Sequence, residues 1–135
     1  MVSYLTLVAS LVEAAIEDPY NAFIEIYGSE ETAAVDIAIK DNIDIAGRVT
    51  SAGSLALAKN IALEDAFLIK KLRAAGFNIF GKTNLSEWAN FRSTNSVSGW
   101  SSYGGQTSHA RGGKHNPFGS SSGSAVAVAA GLVEV

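Results

Sequence analysis

Gly119-Ser120-Ser121-Ser122-Gly123-Ser124 runs without a polar break into Ala125-Val126-Ala127-Val128-Ala129-Ala130-Gly131, and this junction constrains the chain more than any other segment. A run of small apolar residues needs burial on nearly every face, so the rest of the domain must cover it. The Gly/Ser stretch ahead of it places hydroxyls and backbone N–H groups at the start of an expected helix. Such helix starts bind anions and developing oxyanions. A Gly/Ser segment alone reads as a flexible linker; the apolar run that follows argues against that.

A chain of 135 residues suffices for one domain with a core. Hydrophobic residues make up 47% of it and the mean hydropathy is +0.18, which implies apolar surface that something else covers. A net charge of −3 lacks the basic footprint that nonspecific nucleic-acid binding requires. There is no cysteine, which excludes disulfides, thiol catalysis and Cys-based zinc sites. That fits a reducing compartment, and a cytoplasmic location is expected. Leu5 to Ile16 is apolar, but no Lys or Arg precedes it and Glu13 interrupts it. It is too short for a membrane span and unlike a signal peptide. Leu5, Val8, Leu11, Val12, Ala15 and Ile16 follow helical spacing, which predicts an amphipathic helix ending near Asp18-Pro19. Neither a membrane nor a nucleic acid is expected as a partner.

Val35, Ile37 and Ile39 alternate with Asp36, Ala38 and Lys40, the period of a strand with one apolar face. Ala52-Gly53-Ser54 predicts a turn, with a short helix from Leu55. Leu63 to Ala75 predicts a helix with Ala66, Phe67, Ile69 and Leu72 buried, Glu64 and Asp65 in its first turn, and Lys70, Lys71 and Arg73 near its end. Gly76 follows as the residue after the helix, and Phe77 to Phe80 as a short strand. Asn84 and Glu87 predict a capping-box helix start, with Trp88 and Phe91 as packing face. The polar stretch Ser93 to Gly113 predicts a long loop. Helices alternating with strands predict an α/β architecture of layered helices on a sheet.

Gly76 to Thr83 matches the pattern of a phosphate-binding loop, Gly, four residues, then Gly-Lys-Thr. The reading fails on its middle: Phe77, Ile79 and Phe80 want a buried strand, and Gly76 ends a helix instead of following a strand. His109 and His115 lack nearby carboxylates, so no metal site and no Ser-His-Asp triad is expected of them. Lys40 closes an apolar strand. It reads as an ordinary strand-end lysine or as a lysine held near hydroxyls and able to take a serine proton, with Asp41 and Asn42 fixing the strand end.

Taken together, Ala38-Ile39-Lys40-Asp41-Asn42, Ala52-Gly53-Ser54, Leu72 to Gly76, Gly81 to Ser93, Ser102 to Gln106 and Gly119 to Ala125 resemble, in that order, the motifs of the amidase signature family. The resemblance implies the N-terminal part of a single amidase domain over 1–135, a partial amidase signature fold with helices layered on a mixed sheet. It implies hydrolysis of carboxylic amide C–N bonds by a Ser-Ser-Lys triad with no cofactor and no metal. Lys40 matches the catalytic lysine, and Ser120 matches the bridging serine, which the family holds with a cis peptide bond. The family's nucleophilic serine lies further along, past Val135, so the chain alone is expected to be inactive. The implied partners are a small-molecule amide substrate for the completed domain and a protein partner covering the exposed sheet edge. General amidases, amidotransferase components and fatty-amide hydrolases all fit. The competing expectation is a noncatalytic remnant that binds a partner through that edge. The segment Phe23 to Ala34 is shorter than the family pattern. Phe118 stands where the family has Gly, and its bulk is expected to disturb the backbone near Ser120.

Overall fold

The computed structural model describes residues 17–29 and 35–135. The expected N-terminal helix, Leu5 to Ile16, lies outside the described residues.

Three strands form a mixed sheet in the order β1-β3-β2, where β1 is Phe23–Ile26, β2 is Val35–Lys40 and β3 is Phe77–Thr83. β1 runs antiparallel and β2 parallel to β3. The alternation in β2 sets the layers. Ile39 joins Ile45, Ile69 and Ile79 in one buried cluster, with Ile37 packed against it. Ala38 packs instead on a second cluster of Ala22, Phe23, Phe80, Val126, Ala127 and Val133. The first cluster is closed by helix α1 (Phe67–Ala74) through Ile69, the second by helix α2 (Ser122–Ala129) through Val126 and Ala127. Because side chains alternate along a strand, Lys40 shares its face with Ala38 and turns toward α2. The Ala38 and Lys40 side of β2 is therefore the side that α2 covers.

The apolar run after the Gly/Ser stretch is a helix, as its composition requires. The C-terminal residues then return along the outer edge of β2. The Val135 N–H donates to Asp36 O at 3.3 Å and the Ala38 N–H donates to Val135 O at 2.8 Å, a parallel pairing.

The structure corrects several sequence expectations. α1 begins at Phe67, later than Leu63, because Asp65 is engaged elsewhere: its carboxylate accepts the Ala46 N–H at 2.8 Å and pairs with Arg73 at 3.1 Å. Phe67 is 76% exposed, so only Ala66, Ile69 and Leu72 of the expected stripe face the core. The helix expected from Asn84 is absent. Asn84 is fully buried, and its side chain bonds Gly105 O, Thr107 and Ser101. A 3-10 turn follows at Glu87–Asn90, with Trp88, Ala89 and Asn90 at φ of 51°, 54° and 70°. Trp88 and Phe91 are exposed in place of packing inward, and Glu87 accepts from Ser102 and Arg92 instead of capping. The polar loop holds a two-stranded hairpin, β4 (Trp100–Ser101) with β5 (Gly105–Gln106). Strand β3 runs through Gly81-Lys82-Thr83, so the segment that mimics a phosphate loop is sheet interior.

Candidate functional site

Lys40 ends β2 on the face covered by α2, and the first residues leading into α2 come to meet it. Lys40 Nζ donates to Ser120 Oγ at 2.7 Å and to Ser121 Oγ at 3.0 Å. The Gly119–Ser120 peptide bond is cis. Burial holds the Lys40 amine below its ordinary pKa, since desolvation disfavours the charged form. A lysine whose charged form is disfavoured gives up its proton more readily than a fully solvated one, and so is better able to accept a proton from a hydroxyl.

Each partner is locked from behind. The Ser86 N–H donates to Ser120 O at 3.0 Å, and Ser86 Oγ accepts the Gly99 N–H at 2.9 Å. The Gly123 N–H donates to Asn84 O at 3.0 Å, and Thr83 Oγ1 and Ser124 Oγ share a hydrogen bond of 2.7 Å. The first turn of α2 is thus pinned to the end of β3, and β3 pairs with β2 at Thr83 and Lys40. A side chain at Gly123 would collide with the backbone of Ala22 and Asn84, so glycine there permits the close approach that seats the serines.

Phe118 takes φ of 55° with its ring 73% exposed. Its ring lies largely in solvent, and its backbone holds the left-handed conformation that glycine adopts most readily. Ser122 Oγ donates to Phe118 O, which closes the turn.

The histidines stand apart from this arrangement. Their rings are 5.3 Å apart, with His109 half-buried and His115 exposed. Among the described residues no group of three or more His, Cys, Asp and Glu is placed to hold a metal ion. No helix among the described residues is long and apolar enough to cross a membrane.

Sequence reasoning singled out Lys40 and Ser120, which the structure brings into contact, and placed Ser121 only within the hydroxyl cluster. It missed Ser86, which no local pattern distinguishes from a cap, and it missed the role of Lys82. Lys82 is 1% exposed and 2.9 Å from Asp41, itself 1% exposed. A lysine inside an apolar strand was the available signal, because a buried ammonium needs a carboxylate.

The Amidase family model matches residues 13–135. The chain belongs to the amidase family. This amidase-family chain is 45% identical over 102 residues to a probable amidase of Arabidopsis thaliana, covering 75% of the chain and 20% of that relative. It is 46% identical over 119 residues to a glutamyl-tRNA(Gln) amidotransferase component of Methanosarcina barkeri, covering 88% and 24% respectively. The crystal structure of native peptide amidase from Stenotrophomonas maltophilia superposes with a TM-score of 0.76 at 42% identity, over 96% of this chain and 30% of that one. The amidase-family chain therefore spans about a quarter of the length of these relatives, and its mixed sheet with flanking helices is part of their fold.

Proposed function

We propose that these residues form the N-terminal part of an active site that hydrolyses a carboxylic amide C–N bond, with Lys40 as proton acceptor and Ser120 as bridge. The observation that carries this reading is the 2.7 Å contact of Lys40 Nζ with Ser120 Oγ, made by an amine whose burial favours the neutral form. The nucleophilic serine comes from a segment outside residues 1–135.

In this scheme neutral Lys40 takes the Ser120 proton as Ser120 takes the proton of the nucleophile. The freed oxygen attacks the amide carbonyl to give a tetrahedral adduct. The C–N bond breaks as the leaving nitrogen receives a proton back along the same path, and water then releases the acid from the acyl-enzyme by the same relay. This is a Ser-Lys counterpart of the histidine-based relay. Membership of the amidase family and the likeness to peptide amidase support it.

The test is ammonia or amine release from simple amides by a longer product that contains this chain. Lys40→Ala abolishes turnover while leaving the circular dichroism spectrum intact. A folded Lys40→Ala enzyme that still turns over removes Lys40 from the mechanism.

A second reading, a noncatalytic module that binds a partner, is favoured by Leu63 at 98%, Phe91 at 94% and Phe67 at 76% exposure. It requires that no product carrying this chain hydrolyse an amide.

A further inference from the structure

Ser120, Ser121 and Ser122 follow one another into α2, and their hydroxyls have different partners. Ser122 Oγ donates to Phe118 O. Ser120 Oγ and Ser121 Oγ both accept from Lys40 Nζ, at 2.7 Å and 3.0 Å. Ser120 is the bridge of the proposed relay. Ser121 has no part in that scheme, yet its hydroxyl has left its usual place to meet the same amine.

Ser121 is the N-cap residue of α2. A serine there ordinarily accepts the N–H of the second or third helical residue and so holds the helix start. Ser54 does this for the 3-10 turn Leu55–Leu57, where its hydroxyl accepts the Ala56 N–H at 3.4 Å. The Ser121 side chain makes no capping bond. The N–H of Gly123, the second helical residue, donates instead to Asn84 O at 3.0 Å. A backbone carbonyl beyond the end of β3 thus caps α2 from outside, and the Ser121 hydroxyl is released toward Lys40.

The valence of the amine shows what it does there. As an ammonium, Lys40 has three N–H donors and no acceptor, and it donates to both serines. After losing a proton it keeps two N–H groups and gains one lone pair. The relay needs that lone pair on the Ser120 hydroxyl. An amine that turned an N–H to Ser120 would meet its oxygen, and no proton could pass. Ser121 is exposed, so its own O–H is left to solvent and its oxygen stays open to an N–H; Ser120 is half-buried, with its hydroxyl against Lys40 Nζ.

We propose that Ser121 is a positioning residue, whose oxygen takes one N–H of neutral Lys40 and so turns the amine's lone pair to Ser120. The Ser120 O–H bond breaks as the new N–H bond forms on Lys40, and Ser121 neither gains nor loses a proton. The proposal rests on the reading of Lys40 as proton acceptor and gives that relay its direction.

The first experiment is an NMR titration of lysine labelled at Cε in the chain Met1–Val135, with the Lys40 signal assigned by its loss in Lys40→Arg. Ser121 is exposed, so Ser121→Ala opens no cavity. Desolvation is the cause of the amine's lowered pKa, and the substitution changes no charge, so the titration reads the hydroxyl. A hydrogen-bond acceptor favours the ammonium, and its loss lowers the Lys40 midpoint by about half a unit. Ser121→Thr keeps the hydroxyl and the parent midpoint. A serine that served only α2 would lower Tm in Ser121→Ala and leave the midpoint in place. That result, or a midpoint that moves equally in Ser121→Thr, overturns the proposal. The second experiment is turnover by the longer product: Ser121→Ala lowers kcat about tenfold at unchanged KM, and Ser121→Thr restores it. Parent kcat in Ser121→Ala overturns the lone-pair role. A Lys40→Ala enzyme that still turns over fails the proton-acceptor reading instead, while the titration still decides whether Ser121 holds the amine.

Discussion

Gly123→Ala sets two physical effects against each other. Gly123 is buried near the start of α2. In an open helix the change to Ala stabilises by about 1 kcal/mol. Here the added Cβ would stand 2.5 Å from Asn84 O and 2.7 Å from Asn84 N, and would overlap Ala22 O as well. All three are backbone atoms, so no rotamer change relieves the collision; α2 must move away. That movement weakens the bond from the Gly123 N–H to Asn84 O and opens the packing of Val126 and Ala127. Overpacking costs about 1–3 kcal/mol, and the weakened hydrogen bond about 1 kcal/mol. After subtracting the helix preference, the net loss is about 2 kcal/mol, a fall in Tm of about 8 °C for a chain this size. Thermal unfolding followed by circular dichroism reads it. Gly131→Ala is the control: Gly131 has φ of 71° and no atom within 4 Å of an added Cβ, so only backbone strain of about 1 kcal/mol applies. A Gly123→Ala chain at or above the parent Tm, or one that merely matches Gly131→Ala, would refute the close-approach argument.

Phe118→Gly removes a left-handed residue whose ring is solvent-exposed, and raises Tm by about 2–4 °C once the added freedom of the unfolded chain is subtracted; a lower Tm would show that the ring packs on something that matters. Ser86→Ala leaves the buried Gly99 N–H without its acceptor and costs about 1–3 kcal/mol, read as a lower urea midpoint at constant slope. Lys40 yields a pH prediction. Its folded pKa lies below the unfolded 10.5, so between the two values the unfolded chain binds more protons and stability rises with pH. The gain is complete above 10.5 and is lost as pH falls through the folded value. The difference in urea midpoint between the parent and Lys40→Met should show that rise, since groups common to both chains cancel. A flat difference would show that burial does not bear on the amine.

Legibility of the fold in the sequence followed how local each determinant is. The alternation of Val35 to Lys40 and the apolar run after Ser124 are local patterns, and both elements form there. Asn84 and Glu87 carry a local helix signal that lost to distant partners. Asn84 has hydrogen bonds to Ser101, Gly105 and Thr107, and Glu87 to Ser102, all beyond the reach of a capping box. Phe67 sits at a helical-period position, but the late start of α1 turns it outward. In the site, Lys40 and Ser120 were legible through the motif resemblance, and the strand period explains why Lys40 faces α2. The supports behind them were not, because Lys82 and Ser86 act through contacts made across the fold.

The bond between Lys40 and Ser120 joins residues 80 positions apart. Closing so wide a loop has an entropic cost that local contacts do not share, and β2 must also find β3 across a parallel pairing, a slow arrangement. The serines meet the lysine only after the sheet is paired and α2 has docked on it. The contact between amine and hydroxyl therefore depends on every pairing between β2 and α2. That contact is itself a checkpoint: a chain that has misfolded anywhere between β2 and α2 carries its lysine and its serines but cannot bring them together.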